Sequence, residues 1–271
     1  MNWRTYAFGG LAAAAGAAAA IAVRAWVESS EPQSQPPVEE RKPTPEEVPS
    51  DGASVEQAAS KIQSYTNRIA TTAAAMGPEN RKALFATQRV FAKLAPLVAA
   101  YEAALRDLNQ AGGATPATLK SREDLAARIG LVRQFMSAGR SVWQFYSELE
   151  KNFGNELARE KLPESTRREV LVAFRRGASI DENLLIRDCD REIGAGLLEV
   201  LEFLRRHWGG WSVRDNAILF EEDAMLGEYL AIQEKVRLAT ERQQQAQKQL
   251  RDRIGTTAQT SPPASLVPAK K

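Results

Sequence analysis

LAARIGLVRQFMSAGRSVWQFYSELEKNFGNEL, residues 125–157, decides the fold class. Leu125, Ile129, Val132, Met136, Gly139, Trp143, Tyr146, Glu150, Phe153 and Leu157 recur in alternating steps of four and three. That 3.5-residue period marks a helix whose apolar seam supercoils against partner helices. Trp143, Phe145, Tyr146 and Phe153 concentrate aromatic mass on it, and a packed core is the plainest use for them. Ser121 with Asp124 supplies a side-chain cap where the helix begins.

The same pattern extends in both directions. Towards the N-terminus, Leu84, Phe91, Val98 and Leu105 share one heptad position, and Thr87, Leu94, Tyr101 and Leu108 share the other. Pro96 lies inside that helix and is expected to bend it. Gly112, Gly113 and Pro116 mark the loop that follows. Earlier still, Val55, Ile62, Ile69 and Met76 repeat every seven residues and stop at Gly77-Pro78. Towards the C-terminus, Leu162-Pro163 breaks the helix and Gly177 interrupts it again. Ser179 with Glu182 matches a capping box. Ile186, Cys189, Ile193, Leu197, Val200 and Leu204 then form a stripe leading to His207.

Gly209-Gly210 is expected to fold the last two helices into an antiparallel hairpin, with Ser212 and Asp215 starting the final helix and Val200 facing Leu219. The seam of that helix runs from Ile218 through Glu222, Met225, Tyr229 and Ile232 to Leu250. Past Ala239 the sequence is rich in glutamine, so its last turns are expected to project or fray. No stretch alternates convincingly enough to predict a strand. The expected fold is therefore all-α: an antiparallel helical bundle of long, coiled-coil-like helices over residues 54–254, with a disordered tail over 255–271.

Ahead of the bundle, residues 1–27 read as a membrane anchor. Thr5 to Val23 is an uncharged, alanine-dominated run near the length needed to span a bilayer. Trp3 and Tyr6 at one end, Trp26 at the other, and Leu11 and Ile21 within it are the residues expected to hold it in lipid. A cleaved export signal is the alternative reading. Either way, the remainder is placed outside the cytoplasm: tethered by one pass at the inner membrane, or secreted to the periplasm. Residues 28–53 carry six prolines among glutamates, serines and glutamines and read as an extended disordered linker.

Composition narrows function by exclusion. The 271 residues carry formal net charge +2, with acids and bases interleaved, so no strong field favours nucleic acid. One cysteine, Cys189, rules out an internal disulfide framework, and one histidine, His207, rules out a histidine-based metal cage within one chain. No phosphate loop, zinc spacing or dinucleotide fingerprint occurs. Asp188, Asp190 and Glu192 are expected to lie near Glu221, Glu222 and Asp223 on the facing helix, paired with Arg187 and Arg191 rather than holding a cation. The arginine doublets at 167–168, 175–176 and 205–206 read as solvated helix faces more readily than as contacts to anionic lipid or peptidoglycan.

The functional expectation is accordingly a non-enzymatic protein without cofactor or metal. It would act as a structural or adaptor component of the cell envelope, binding the membrane and protein partners, with self-association possible through its helical seams. The alternative is a sensing or ligand-binding bundle, with Trp143, Tyr146, Trp208 and Trp211 as candidate pocket or interaction aromatics.

Overall fold

A computed structural model describes residues 78–214 and 217–260. Helix dominates, in six α-helices: α1 (Pro78–Gln110), α2 (Arg122–Ser147), α3 (Leu149–Arg159), α4 (Glu164–Gly177), α5 (Ile180–Arg206) and α6 (Asp223–Thr260). A two-stranded antiparallel sheet, β1 (Trp211–Arg214) and β2 (Ala217–Phe220), stands between α5 and α6. The anchor residues Trp3, Tyr6, Leu11, Ile21 and Trp26, the linker, the heptad positions from Val55 to Met76, and residues 261–271 lie outside the described residues.

Pro78 opens α1, where its missing N–H costs nothing. The helix closes in a glycine loop: Gly112 and Gly113 both take positive φ, and Gly113 N–H donates to Leu108 at 2.8 Å. Arg128, buried on α2, locks that loop by donating to the Gly113 carbonyl at 2.9 Å and to Thr118 Oγ1 at 2.7 Å. The Ser121 hydroxyl accepts from Asp124 N–H at 3.1 Å, and Asp124 Oδ2 accepts from Lys120 N–H at 3.1 Å, which caps α2 as its sequence predicts. The short loop returns α2 antiparallel along α1, with the Tyr101 and Phe135 ring centroids 5.3 Å apart.

The seam predicted to run unbroken from Leu125 to Leu157 is divided. Glu148 leaves helical geometry at φ −103°, ψ 1°, and separates α2 from α3. The heptad phase passes through the break unchanged, so apolar spacing alone could not reveal it. Burial also shifts around the helix: Val142, Phe145 and Leu149 are buried, whereas Met136, Gly139 and Trp143 in the middle of the seam are only half-buried. The chain does break before Pro163 and after Gly177, as read. α4 folds back on α3 and stacks Phe174 on Phe153 at 4.1 Å between centroids. Ser179, by contrast, does not cap α5 through its side chain. It sits in the left-handed region at φ 46°, and Asn183 donates to its carbonyl at 2.9 Å instead.

α5 is the central helix, packed on α2 along one side and α6 along the other. Gly194 and Gly196 allow this: a Cβ on Gly194 would fall 2.6 Å from Met136 Cγ, and one on Gly196 would fall 2.4 Å from Val236 Cγ2. Ion pairs Arg206–Glu228, Lys235–Glu199 and Arg242–Glu192 fix α5 and α6 antiparallel in a constant register.

That register corrects the expected hairpin. The reversal at Gly209-Gly210 leads not into a helix but into β1 and β2, which pair Trp211 with Phe220 and Val213 with Ile218. α6 starts only at Asp223, so residues near 234, not Leu219, lie beside Val200. The strands are four residues each, too short to show an alternation. They persist because Phe220 packs on Phe203 and Tyr229, at 5.8 and 5.1 Å between centroids, and because Trp211 donates its indole N–H to the Leu204 carbonyl at 3.0 Å.

The glutamine-rich end of α6 also departs from expectation. Gln243, Ala246, Gln247 and Leu250 are buried, and Ala246 and Leu250 pack with Ile186 of α5. The helix continues past Gly255 to Thr260. α1 is long and apolar enough to cross a membrane by length and composition, although 44% of its most apolar window is buried within the protein.

Candidate functional site

Tyr101 on α1, Arg187 and Asp190 on α5, and Gln243 on α6 converge where the helices are closest. Arg187 and Asp190 are three residues apart and so share one face of α5. Their side chains are 1% and 4% exposed. Asp190 accepts from the Tyr101 hydroxyl at 3.1 Å and from the Gln243 amide, and Arg187 Nη1 lies 2.7 Å from Asp190 Oδ2. The Arg187 guanidinium also stands 4.9 Å above the Tyr101 ring, a cation–π distance.

A cavity of about 580 Å³ opens beside this cluster. Phe135, Met136, Gly139 and Trp143 of α2 form one wall, Arg187 and Asp190 of α5 form the other, and the exposed Arg140 and Arg191 stand at the mouth. The half-buried middle of the α2 seam is thus the lining of a cavity between α2 and α5. The volume falls in the range of about 300–1,000 Å³ usual for small-molecule sites.

The electrostatics of the cluster follow from burial. Loss of water pushes the Asp190 carboxyl above its ordinary value, against the pull of Arg187 and of the hydrogen bonds from Tyr101 and Gln243. Burial, reinforced by the Asp190 charge, pushes the Tyr101 phenol up as well, so its hydroxyl remains a neutral donor. Burial likewise raises Tyr146. Arg187 lies one turn before Asp190 on the same face of α5. Its contact with Asp190 is a charge pair without hydrogen-bond alignment: Nε, Nη1 and Nη2 are all buried and none donates to an acceptor. The buried indole N–H of Trp143 and the amide oxygen of Gln243 also lack partners.

Of the aromatics singled out from sequence, Trp143 lines this cavity. Tyr146 is buried in the adjoining core against Phe145. Trp208 and Trp211 pack on each other at 5.3 Å at the opposite end of α5, roughly 30 Å from Arg187 at 1.5 Å of helical rise per residue. His207 is there too, at the C-terminus of α5, with its ring 4.6 Å from Phe203. The α5–α6 register separates Glu221, Glu222 and Asp223 from Asp188, Asp190 and Glu192, so the two acidic groups do not meet. Asp188 pairs with Arg191 at 3.1 Å, Asp190 with Arg187, and Glu192 with Arg242. Among the described residues no group of three or more His, Cys, Asp or Glu side chains is arranged to hold a metal ion. Cys189 is buried on the same helix, and burial raises its thiol. Arg167, Arg175, Arg205 and Arg206 pair with Glu164, Glu150, Glu202 and Glu228.

Sequence reasoning paired Arg187 with the neighbouring acids, which it does with Asp190, but did not place the pair in the interior. The signal it missed was Gly194-Ala195-Gly196. Small residues in mid-helix mean neighbours on both sides, and they put a charged pair less than three turns away into the interior. Comparison of the chain with protein-family models, with curated proteins and with solved structures gives no match.

Proposed function

We propose that this chain is a membrane-tethered, extracytoplasmic helical protein that binds a small ligand in the cavity between α2 and α5. One observation carries the reading: a fully buried arginine without an aligned hydrogen-bond partner lines a cavity of about 580 Å³. An unsatisfied buried donor costs about 1–3 kcal/mol, and more when charged, so the arrangement is most stable when something enters to accept from it. The tether rests on the Thr5 to Val23 run with Trp3, Tyr6, Leu11, Ile21 and Trp26, and the coiled-coil character on the heptads of the sequence. On this reading the protein works by binding. A cell-envelope sensor of this kind passes its ligand state to a separate protein.

The test is thermal unfolding of the full-length protein against a panel of small organic acids, bases and neutral compounds. At least one compound is expected to raise the midpoint. Gly139→Leu, which adds volume on the cavity wall with its Cβ 3.5 Å from the Tyr101 ring, is expected to abolish that rise. A panel without any stabilising compound, or an equal rise in the variant, contradicts the reading.

An adaptor role is the second reading, favoured by Leu226, Leu230 and Leu238, which stand 40–53% exposed along one face of α6. Crosslinking in intact cells should then capture an envelope partner that Leu230→Glu loses. Unchanged capture removes this reading.

A further inference from the structure

We infer that the cavity selects a monoanionic organic acid, a carboxylate on an apolar body, held by the Arg187 guanidinium and the Trp143 indole N–H. The inference rests on the ligand-binding reading above and names the ligand that reading leaves open.

Three features of the site select this chemistry. The first is the donor set. Arg187 has buried Nε, Nη1 and Nη2 that make no aligned hydrogen bond, its contact with Asp190 being a charge pair, and Trp143 adds a buried Nε1–H without a partner. Both residues line the same cavity, from opposite walls. A guanidinium is a planar fork whose paired N–H groups match the two oxygens of a carboxylate. An indole N–H only donates. These donors on the cavity walls ask for an acceptor, which a ligand amine or cation would not supply; the unpartnered Gln243 amide oxygen belongs to the cluster but not to the cavity lining.

The second feature is the charge. Arg140 at the mouth draws anions inward, while Arg191 beside it is shared with Asp188 at 3.1 Å. Asp190 sets the upper limit, because its Oδ2 lies 2.7 Å from Arg187 Nη1 and is fixed there by Tyr101 and Gln243. One ligand charge shares Arg187 with Asp190. A second charge on the same head group, as on a phosphate monoester, would face the aspartate across a dry interior, where like charges repel strongly. The third feature is the remaining wall. Phe135, Met136 and the Trp143 ring are apolar and half-buried or better, so the body of the ligand is hydrocarbon or aromatic.

Among the described residues, the neighbouring acids of α5 are engaged elsewhere. Glu202 on the next turns of α5 is held by Arg133 at 3.1 Å and by Arg205, Glu192 by Arg242, and Asp188 by Arg191.

Isothermal titration of the full-length protein in lipid nanodiscs tests the assignment with three probes of one shape: 3-phenylpropionate, 3-phenylpropionamide and phenyl phosphate. The carboxylate is expected to bind at least tenfold more tightly than the amide and than the phosphate. Arg187→Lys keeps the charge but loses the fork, and should weaken the carboxylate about tenfold. Trp143→Phe keeps a ring but loses the donor, and should weaken the carboxylate several-fold while leaving the amide unchanged. The double variant Arg187→Met with Asp190→Leu replaces the buried pair by apolar groups of similar size, which proteins often tolerate. It should reverse the preference in favour of the amide. Equal binding of carboxylate and amide, or variants without effect, overturns the anion assignment while the cavity reading stands. Tighter binding of phenyl phosphate overturns the monoanion limit. Binding of none of the probes, together with a panel that yields no stabilising compound, overturns both.

Discussion

Glu156 shows how one residue fastens a helix in this fold. Its side chain is 2% exposed on α3 and accepts from Lys93 Nζ at 2.8 Å and Arg89 Nε at 2.9 Å on α1, with Arg159 Nη1 at 3.0 Å. These cations hold its carboxyl at about 2, led by the hydrogen bond from Lys93 and against the cost of burial. In the unfolded chain a glutamate titrates near 4.3. The folded value is the lower one, so the stabilisation is present in full above about pH 5. It fades as the pH falls towards about 2. The shift corresponds to on the order of 2–3 kcal/mol, since its cationic partners are partly exposed and screened. Glu156→Gln should lower stability by that amount at pH 7 in denaturant titrations and by much less at pH 3. An equal loss at both pH values would show that shape, not charge, matters at this position. Local spacing does not reveal this, because Arg89 and Lys93 precede Glu156 by more than sixty residues. Arg187 was hidden for a related reason: its surroundings come from α1, α2 and α6, and spacing along α5 says only that Asp190 is within reach.

At the scale of the element, long apolar periods were read correctly and short or mixed segments were not. Helix type, the loop at Gly112-Gly113, the Ser121 cap and the breaks at Pro163 and Gly177 all rest on local chemistry that a window of a few residues contains. The gap at Glu148 keeps the heptad phase and leaves no trace in it. β1 and β2 are stabilised by Phe203 and Tyr229, one on each flanking helix, and Ser212, read as part of a helix start, lies in β1 instead. The buried Gln243 and Gln247 look polar until Asp190 is brought opposite them. The register of α5 on α6 is the consequence that matters most, because it carries Gln243 to the cavity cluster. Paired cysteines at Glu199→Cys and Lys235→Cys should be joined by a short bis-maleimide crosslinker, since these long side chains meet at 2.9 Å at their tips. Cysteines at Val200→Cys and Leu219→Cys should not. Crosslinking of the second pair in preference to the first would restore the simple glycine hairpin and dismantle the cluster.

For the whole molecule, the account joins two parts. The N-terminal run of Thr5 to Val23 would hold the chain at a membrane, and the linker of residues 28–53 would carry the helical part away from it. In the helical part, α5 brings a guanidinium without an aligned hydrogen bond to a cavity lined by α2, while α1 and α6 fix the aspartate that limits what can bind. The most direct measurement is native mass spectrometry of full-length protein recovered from the membrane pellet of its own cells, beside the Gly139→Leu variant. The account predicts recovery in the pellet and a small anionic species that travels with the wild-type chain and is missing from the variant. Recovery in the soluble fraction would contradict the tether. A wild-type chain that carries nothing, or a variant that carries the same species, would contradict the ligand cavity.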